Sequence, residues 1–273
     1  MASDTTEKDR EYTELVGLAL RMCKVVVEPP LAGSPVLVPP ELADAAKVIM
    51  FHFGRAFRTF QALGLLLREG YTQDGLVLLR TFVEVFFEMA FVAKYPEDAH
   101  YYVEHGVKVE ALLQKRVKAH APSFMAPLLF LDHLGDTKWE DVTGALSHSA
   151  WHPNPKLRSV RQRALAADVP DVYYDLIYSL CSRYVHGSGD WLREVAKNVP
   201  GGIHVSYGAD VTERNLILFL ACEKLLEMLF ILEGCLSMPI RDPILAIKAD
   251  FDAFKERGAA RVSEKYGAGG DQR

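Results

Sequence analysis

The stretch from Gly75 to Lys94 decides the fold, and it reads GLVLLRTFVEVFFEMAFVAK. Apolar residues fill nearly all of its positions, so the stretch predicts a helix that is buried on almost every side at the centre of a bundle. Its internal charges are Arg80, Glu84 and Glu88, and their spacing of four residues places them in one narrow stripe. A buried charge without a partner is costly, so we expect Arg80 to pair with Glu84 or with a facing helix.

A second stripe with the same spacing lies between Pro170 and Gly187. Its members are Tyr174, Tyr178, Ser182 and His186. Polar atoms on a buried helix face need partners, and the stripe around Arg80 can supply them. We therefore predict a polar seam in the core, formed where the two stripes face each other.

This predicted seam contains the candidate site residues, which are His186, Arg80, Glu84, Ser182 and Tyr178. His186 is expected at a helix C-terminus, where the helix dipole favours the protonated imidazole, and it would act as a general acid or base. Ser182 is a weaker candidate, because Gly-Ser-Gly at 187–189 is not the nucleophile-elbow pattern. The alternative is a structural seam in which His186 caps the helix.

Helical periodicity continues through most of the chain. Residues 40–69 and 73–95 are expected to form long helices, and the short link at Gly70 makes them an antiparallel hairpin. We predict an all-α fold: a single helical bundle of about seven to nine helices with long antiparallel central helices. Residues 199–210 are rich in glycine and are expected to form a small hairpin or a loop.

The predicted organisation has three parts. An N-terminal helix and a proline-rich connector cover 1–39, the bundle covers 40–257, and a disordered polar tail covers 258–273. The apolar run at 216–236 is expected to form a long helix, and an exposed apolar surface on it would favour a homodimer.

Composition limits the classes of function. The chain has 273 residues and a net charge of -5, which argues against a general coat for nucleic acids. Its four cysteines have no zinc-type spacing, and a reduced cytoplasmic location fits them best. The two most apolar runs are 75–94, which contains Arg80, Glu84 and Glu88, and 216–236, which contains Glu223, Lys224 and Glu227 among its charges, so we expect no membrane span.

Metal and cofactor sites are not expected. Glu84 and Glu88 are four residues apart, but the Glu-x-x-His pairs of di-iron bundles are missing on facing helices. His148 and His152 lack the glutamate of a zincin motif, and Pro153 disrupts the helix. We read His100, His105 and His120 as surface histidines.

One basic cluster could contact RNA or another phosphate ligand. It consists of Lys156, Arg158, Arg161 and Arg163. Four cations within eight residues more often form a solvated helix face, so the cluster is interpreted mainly as surface.

Two blocks of sequence resemble domain of unknown function 5677, a mostly bacterial helical family. The first block runs from Gly70 to Glu84. The second runs from Trp151 to His186 and contains Arg161, Ala164, Tyr174, Tyr178, Ser182 and Val185. The resemblance spans about 45–190.

The architecture is also similar to that of HEPN-type helical bundles, many of which are metal-independent ribonucleases in toxin and phage-defence systems. Their catalytic motif is an arginine, four to six residues, and then a histidine. Here two residues separate Arg183 from His186, so ribonuclease chemistry would require Arg80 to replace the motif arginine across the bundle. This resemblance implies RNA as the ligand, and a small molecule bound at the polar seam is the other ligand that the charges inside the bundle allow. A non-enzymatic binding or assembly module is the alternative, and the sequence leaves open whether the protein is an enzyme.

Overall fold

The computed structural model of the chain describes residues 2–28, 38–120, 151–178, 181–182, 196–205 and 213–267. Its α-helices are α1 (Ala2–Val27), α2 (Ala43–Arg68), α3 (Thr72–Lys94), α4 (Ala99–His120), α5 (Val160–Ala166), α6 (Arg214–Leu236) and α7 (Arg241–Gly267). Short 3-10 helices cover Pro40–Leu42, Pro96–Asp98 and Pro155–Leu157. A π-helix covers Tyr173–Tyr178, and two short strands are β1 (Ala196–Val199) and β2 (Gly202–Val205).

Local sequence signals explain where several helices begin and end. Pro40 and Pro96 open the 3-10 turns that lead into α2 and α4, where a missing backbone N–H costs nothing. Gly70 follows α2 with φ of 82°, a left-handed conformation that glycine adopts without strain. Ser159 caps α5, because its hydroxyl accepts from the Gln162 backbone and the Gln162 side chain accepts from the Ser159 backbone.

The central helices form the expected arrangement. The link at residues 69–71 joins α2 to α3 as an antiparallel hairpin, and α6 packs against both helices. Phe82, Phe87 and Phe91 of α3 are fully buried in this core. The prediction of an all-α bundle with long antiparallel central helices is confirmed.

Residues 199–210 are expected to form a small hairpin or a loop, and a hairpin is present at residues 196–205. β1 and β2 pair in antiparallel register, with Ala196 opposite Val205 and Val199 opposite Gly202. Gly201 lies in the turn with φ of 87°. The predicted segment continues to 210, but residues 206–210 lie outside the described ranges.

The N-terminal helix packs into the bundle. Leu15, Leu18 and Met22 of α1 are buried, and α1 contacts both α6 and α7. The sequence divides residues 1–39 from the bundle, whereas the structure places α1 in the same hydrophobic core. The reason is that α6 is apolar nearly all round and needs cover on the side that α2 and α3 leave free.

The last helix continues further than the sequence indicates. α7 ends at Gly267, so residues 258–267 are helical where a disordered tail is predicted to start. Charged pairs with α1 explain the extension: Arg261 contacts Glu7 at 2.6 Å and Glu11 at 2.5 Å, and Arg257 contacts Glu14. These partners are distant in sequence, so periodicity within α7 does not reveal them.

Two further expectations concern membranes and the middle of the chain. In the part of the chain that the structure describes, no helix combines the length and apolar character that a membrane span needs. The helical periodicity that continues through most of the chain also predicts a helix at about 122–134, and these residues lie outside the described ranges, as do all of 121–150.

Candidate functional site

The two predicted stripes meet at one tyrosine hydroxyl. Tyr178 donates to Glu84 Oε1 at 2.6 Å, and Arg80 Nη2 donates to the same hydroxyl at 3.0 Å. Arg80 Nη2 also lies 3.5 Å from Glu84 Oε1, as expected from their spacing on α3. The guanidinium lies over the Tyr178 ring, 5.1 Å from its centroid. The hydroxyl therefore bridges an arginine and a carboxylate that belong to one helix.

Protonation states in this trio follow from burial and hydrogen bonding. Burial, together with the hydrogen bond to Glu84, raises the pKa of Tyr178 to about 12. Burial opposes the charge on Arg80, but the contacts with Tyr178 and Glu84 outweigh it and raise the arginine pKa. At neutral pH the site therefore contains a neutral tyrosine hydroxyl beside a charged guanidinium.

This end of the seam is open to solvent. The Arg80 side chain is 21% exposed and the Glu84 side chain 32% exposed. One turn further along α3, Glu88 belongs to a cluster that is sealed, since its partner Arg163 is 0% exposed. Of the two pairs, Arg80–Glu84 is therefore the more accessible to solvent.

Ser182 and His186 complete the predicted site. The Ser182 hydroxyl donates to the backbone carbonyl of Tyr178, four residues earlier, at 2.8 Å. A serine in this arrangement competes with the helix backbone and is not presented as a nucleophile. His186 lies outside the described residues, and so do Arg183 and His148.

The tyrosine stripe forms a stack that ends in an arginine on each side. Tyr174 and Tyr178 are stacked with their ring centroids 4.6 Å apart. Arg161 covers the Tyr174 ring at 5.5 Å, and Arg80 covers the Tyr178 ring on the other side. Contact with Phe87 holds both rings against α3. The stack extends the polar seam from α3 to α5.

Glu88 has partners that the sequence does not reveal. Arg163 donates to Glu88 Oε2 through Nε at 2.8 Å, and its Nη2 donates to the other carboxylate oxygen. Trp151 Nε1 donates to Oε2 at 3.1 Å, and the Trp151 ring lies 5.0 Å from the Arg163 guanidinium. Arg163 Nη1 donates to the Leu157 carbonyl at 2.8 Å.

The prediction that Arg163 belongs to a solvated basic helix face is therefore wrong. Its guanidinium is buried in the core, whereas Lys156, Arg158 and Arg161 remain on the surface. Arg161 is neutralised by Asp175 at 3.2 Å, so the four cations do not form one phosphate-binding patch. The sequence feature that could have indicated the burial of Arg163 is Glu88, a carboxylate in an apolar helix that needs a cation as its partner.

A further charged cluster joins α6 and α7 to the π-helix. Glu223 accepts from Tyr173 at 2.8 Å and from Lys255 at 2.7 Å. Lys224 Nζ donates to Glu227 at 2.6 Å and lies 3.4 Å from the centre of the Tyr173 ring. At the level of sequence, Glu223, Lys224 and Glu227 served only as an argument against a membrane span. In the structure they attach the tyrosine segment to α6.

Three histidines occupy buried positions. His152 Nε2 lies 3.2 Å from Asp98, and its Nδ1 accepts from the Asn154 backbone at 3.1 Å. His52 is 2% exposed, and burial lowers its pKa to about 3. His105 is also buried, which corrects its prediction as a surface histidine, because α4 turns that side chain into the bundle. Among the described residues, no group of three or more potential ligands could hold a metal ion.

The apolar helix α6 is mostly covered. Within the described chain, Leu216 is its one large hydrophobic residue that is more than a third exposed. α1, α2 and α3 pack around the rest. The homodimer stays a prediction, but the exposed α6 surface that would have favoured it is buried within the chain.

Fold and site together define an all-α bundle protein with a polar seam that opens to solvent at Arg80 and Glu84. Residues 46–202 match a family of unknown function (DUF5677), and the chain belongs to this family. The match contains all five candidate site residues and agrees with the predicted span of about 45–190. Comparisons with curated proteins and with solved structures gave no match.

Proposed function

We propose that the protein is a HEPN-like, RNA-acting protein whose site is the open end of the seam, with Arg80 as the phosphate-binding arginine and His186 as the general acid or base. The observation that carries this proposal is the guanidinium of Arg80, which is part-exposed and held by Tyr178 at 3.0 Å. A fixed, accessible arginine is suited to a phosphate oxygen, because its planar fork offers several N–H donors.

The neighbouring groups fit this role. The described contacts of Arg80 with Tyr178 and Glu84 both use Nη2, and a guanidinium has five N–H donors in total. Tyr178 and Glu84 restrict the arginine to one orientation before a ligand arrives, which lowers the entropic cost of binding. His186 would accept the proton of an RNA 2′-hydroxyl, whose oxygen bonds to the adjacent phosphorus as the bond to the 5′-oxygen breaks and that oxygen takes a proton from water. Arg80 would neutralise the developing charge on the phosphate.

A cytoplasmic location and a defence- or toxin-associated role are part of the same proposal. RNA substrates are intracellular, and Cys23, Cys181, Cys222 and Cys235 are free thiols. Overall charge does not oppose a local RNA site, since Arg80 acts by contact with one phosphate and not through a broad basic surface.

The experiment is incubation of the purified protein with single-stranded RNA, with EDTA and with Mg²⁺. We expect cleavage under both conditions. His186→Ala should reduce the rate by ~10²-fold or more, the usual contribution of general acid–base catalysis. Arg80→Gln should reduce it as well, whereas Arg241→Gln, on an arginine of α7 whose side chain is 67% exposed, serves as the matched control and should not. RNA that stays intact with the wild-type protein would refute the proposal.

A non-enzymatic binding or assembly module is the second candidate, and the internal pairing of the seam supports it. Arg80 is paired with Glu84, and Glu88 with Arg163, so the charges can serve packing alone. In that case the double variant Arg80→Met with Glu84→Leu should change stability modestly and remove no chemical activity. A stable double variant that loses the protein's cellular phenotype would count against this candidate.

A further inference from the structure

The segment that carries the tyrosines is a π-helix. Residues Tyr173–Tyr178 form this element, in which each hydrogen bond spans five residues and not the four of an α-helix. Tyr173 and Tyr178 are five residues apart, so in the π-helix they are separated by little more than one turn. In an α-helix, five steps of ~100° would place them ~140° apart.

Both ends of this element are fixed by hydrogen bonds to different helices. At the first end, the Tyr173 hydroxyl donates to Glu223 Oε2 of α6 at 2.8 Å. At the other end, the Tyr178 hydroxyl donates to Glu84 Oε1 of α3 at 2.6 Å. α3 and α6 pack against each other, and Lys224 Nζ of α6 lies 4.9 Å from the ring centre of Phe86 on α3 and 3.4 Å from that of Tyr173. The π-helical backbone turns both tyrosines towards this pair of helices.

An α-helix cannot satisfy both anchors. With a separation of ~140°, either Tyr173 would leave Glu223 or Tyr178 would leave Glu84. A π-helix has a less favourable backbone than an α-helix, so it persists only where the surroundings stabilise it. Hydrogen bonds to charged carboxylates are among the strongest available for that purpose.

We propose that Tyr173 is a positioning residue: its hydrogen bond to Glu223 holds residues 173–178 in the π-helical register and thereby directs Tyr178 to Arg80 and Glu84. That this register matters for RNA cleavage rests on the proposed function. That Tyr173 holds the π-helix does not depend on it. Lys255 supports the anchor, because it donates to the other oxygen of Glu223 at 2.7 Å and neutralises its charge. Glu223 is thus oriented before it receives the tyrosine.

The first test measures the Tyr178 hydroxyl by NMR titration of tyrosine labelled with ¹³C at Cζ, with its signal assigned by Tyr178→Phe. The wild-type pKa is raised to about 12 by burial and by the hydrogen bond to Glu84, with the Arg80 charge opposing. In Tyr173→Phe the register is lost, and the Tyr178 pKa should fall towards the ordinary value of 10.0. An unchanged Tyr178 pKa in Tyr173→Phe would overturn the proposal.

Two variants make this test specific. Tyr95→Phe is the matched control, because Tyr95 also donates its hydroxyl within the bundle, to the Ala166 carbonyl at 3.2 Å, and lies outside the π-helix. Tyr95→Phe should leave the Tyr178 pKa unchanged. If the pKa falls as much as in Tyr173→Phe, the effect is not specific to the Tyr173 anchor. Glu223→Gln keeps an oxygen that accepts from Tyr173 but removes its charge, so the Tyr178 pKa should fall less than in Tyr173→Phe, and a larger fall would count against the tyrosine hydroxyl as the anchor. Far-UV circular dichroism checks that each variant is folded.

The second test uses the RNA cleavage assay and separates the two proposals. Tyr173→Phe should lower kcat by up to ~10²-fold with KM nearly unchanged, as expected for a misplaced site that still binds. If Tyr173→Phe lowers the Tyr178 pKa but leaves kcat unchanged, Tyr173 sets the helical register, and its role in positioning the site for cleavage is overturned. If the wild-type protein does not cleave RNA, the proposed function fails, and the titration alone decides whether Tyr173 sets the register.

Discussion

Arg163 of α5 and Glu88 of α3 form an ion pair in the core, with Arg163 Nε 2.8 Å from Glu88 Oε2 and the arginine 0% exposed. Trp151 donates to the same carboxylate oxygen at 3.1 Å. Two side chains that follow Glu88 by 63 and 75 residues therefore converge on its carboxylate. The pair attaches the segment around α5 to the central hairpin and so positions the chain that leads to Tyr174 and Tyr178.

Removal of one member of this pair should be strongly destabilising. Arg163→Met leaves the Glu88 carboxylate buried without a cation, so we expect a loss of ~3–5 kcal/mol in the free energy of unfolding. Urea denaturation followed by circular dichroism measures the loss. Arg161→Met, two residues earlier and on the surface, is the control and should cost at most ~1 kcal/mol.

The corresponding double variant tests whether the cost comes from the unpaired charge. Arg163→Met combined with Glu88→Leu removes both charges, so we expect it to be clearly more stable than Arg163→Met alone. A double variant that is as unstable as the single one would show that packing, and not charge, dominates at this position.

Helix α1 should behave as part of the core. Met22 is 0% exposed, so Met22→Ala should lower the free energy of unfolding by ~2–5 kcal/mol through lost burial and the cavity it leaves. Leu20 lies on the same helix and is 65% exposed, and Leu20→Ala should cost ~0.5 kcal/mol or less. Differential scanning calorimetry compares the two. Equal melting temperatures would mean that α1 is not required for stability.

His52 should make the protein sensitive to acid. Burial lowers its pKa to about 3, with smaller effects from Arg55 and Arg163, whereas the unfolded chain binds a proton near 6.5. Stability from the neutral ring is therefore complete above pH 6.5 and is lost as the pH falls towards 3. The loss from this group is at most ~1.4 kcal/mol per pH unit.

Comparison with His52→Leu isolates this effect. Unfolding free energies measured in urea at pH 7, 6 and 5 should fall more steeply for the wild-type protein than for the variant. Other titrating groups are shared and cancel in the difference. Parallel pH profiles for the two proteins would contradict a buried neutral His52.

The cysteines should differ in reactivity. Burial raises the pKa of Cys181 to about 12 and raises the pKa of fully buried Cys222 as well. Cys23 and Cys235 are only half-buried. With iodoacetamide at pH 8, Cys181 and Cys222 should be alkylated more slowly in the folded protein, and all four at similar rates in urea. Peptide mass spectrometry gives the rates. Equal labelling of Cys222 and Cys23 in the folded protein would refute the prediction.

Much of the helical framework could be predicted, because its signals are local. Pro40, Gly70 and Pro96 mark helix ends through backbone geometry alone, and the apolar run from Gly75 to Lys94 requires a central position. The spacing of Arg80 and Glu84 likewise indicated their pairing, since residues four apart on a helix are neighbours. Their meeting with Tyr178 followed from the need of buried polar atoms for partners.

The π-helix was beyond prediction from the sequence. Spacing of four residues groups Tyr174 with Tyr178 and leaves Tyr173 on another face, whereas the structure turns Tyr173 to α6. The cause is the pair of anchors on two different helices, and no local propensity encodes it. His186 was assigned by the sequence and lies outside the described residues, so its role stays a prediction.

The sequence by itself determined the helices, their approximate ends and the charged stripe that α3 carries into the core. Tertiary structure decided which cation neutralises Glu88, where α1 and α7 pack, and that Arg163 is buried while Arg161 is exposed. Two arginines separated by one residue have the same local pattern of sequence. Their environments differ because α5 turns one of them towards an unpaired carboxylate 75 residues away, and that long-range partner offsets the cost of burial.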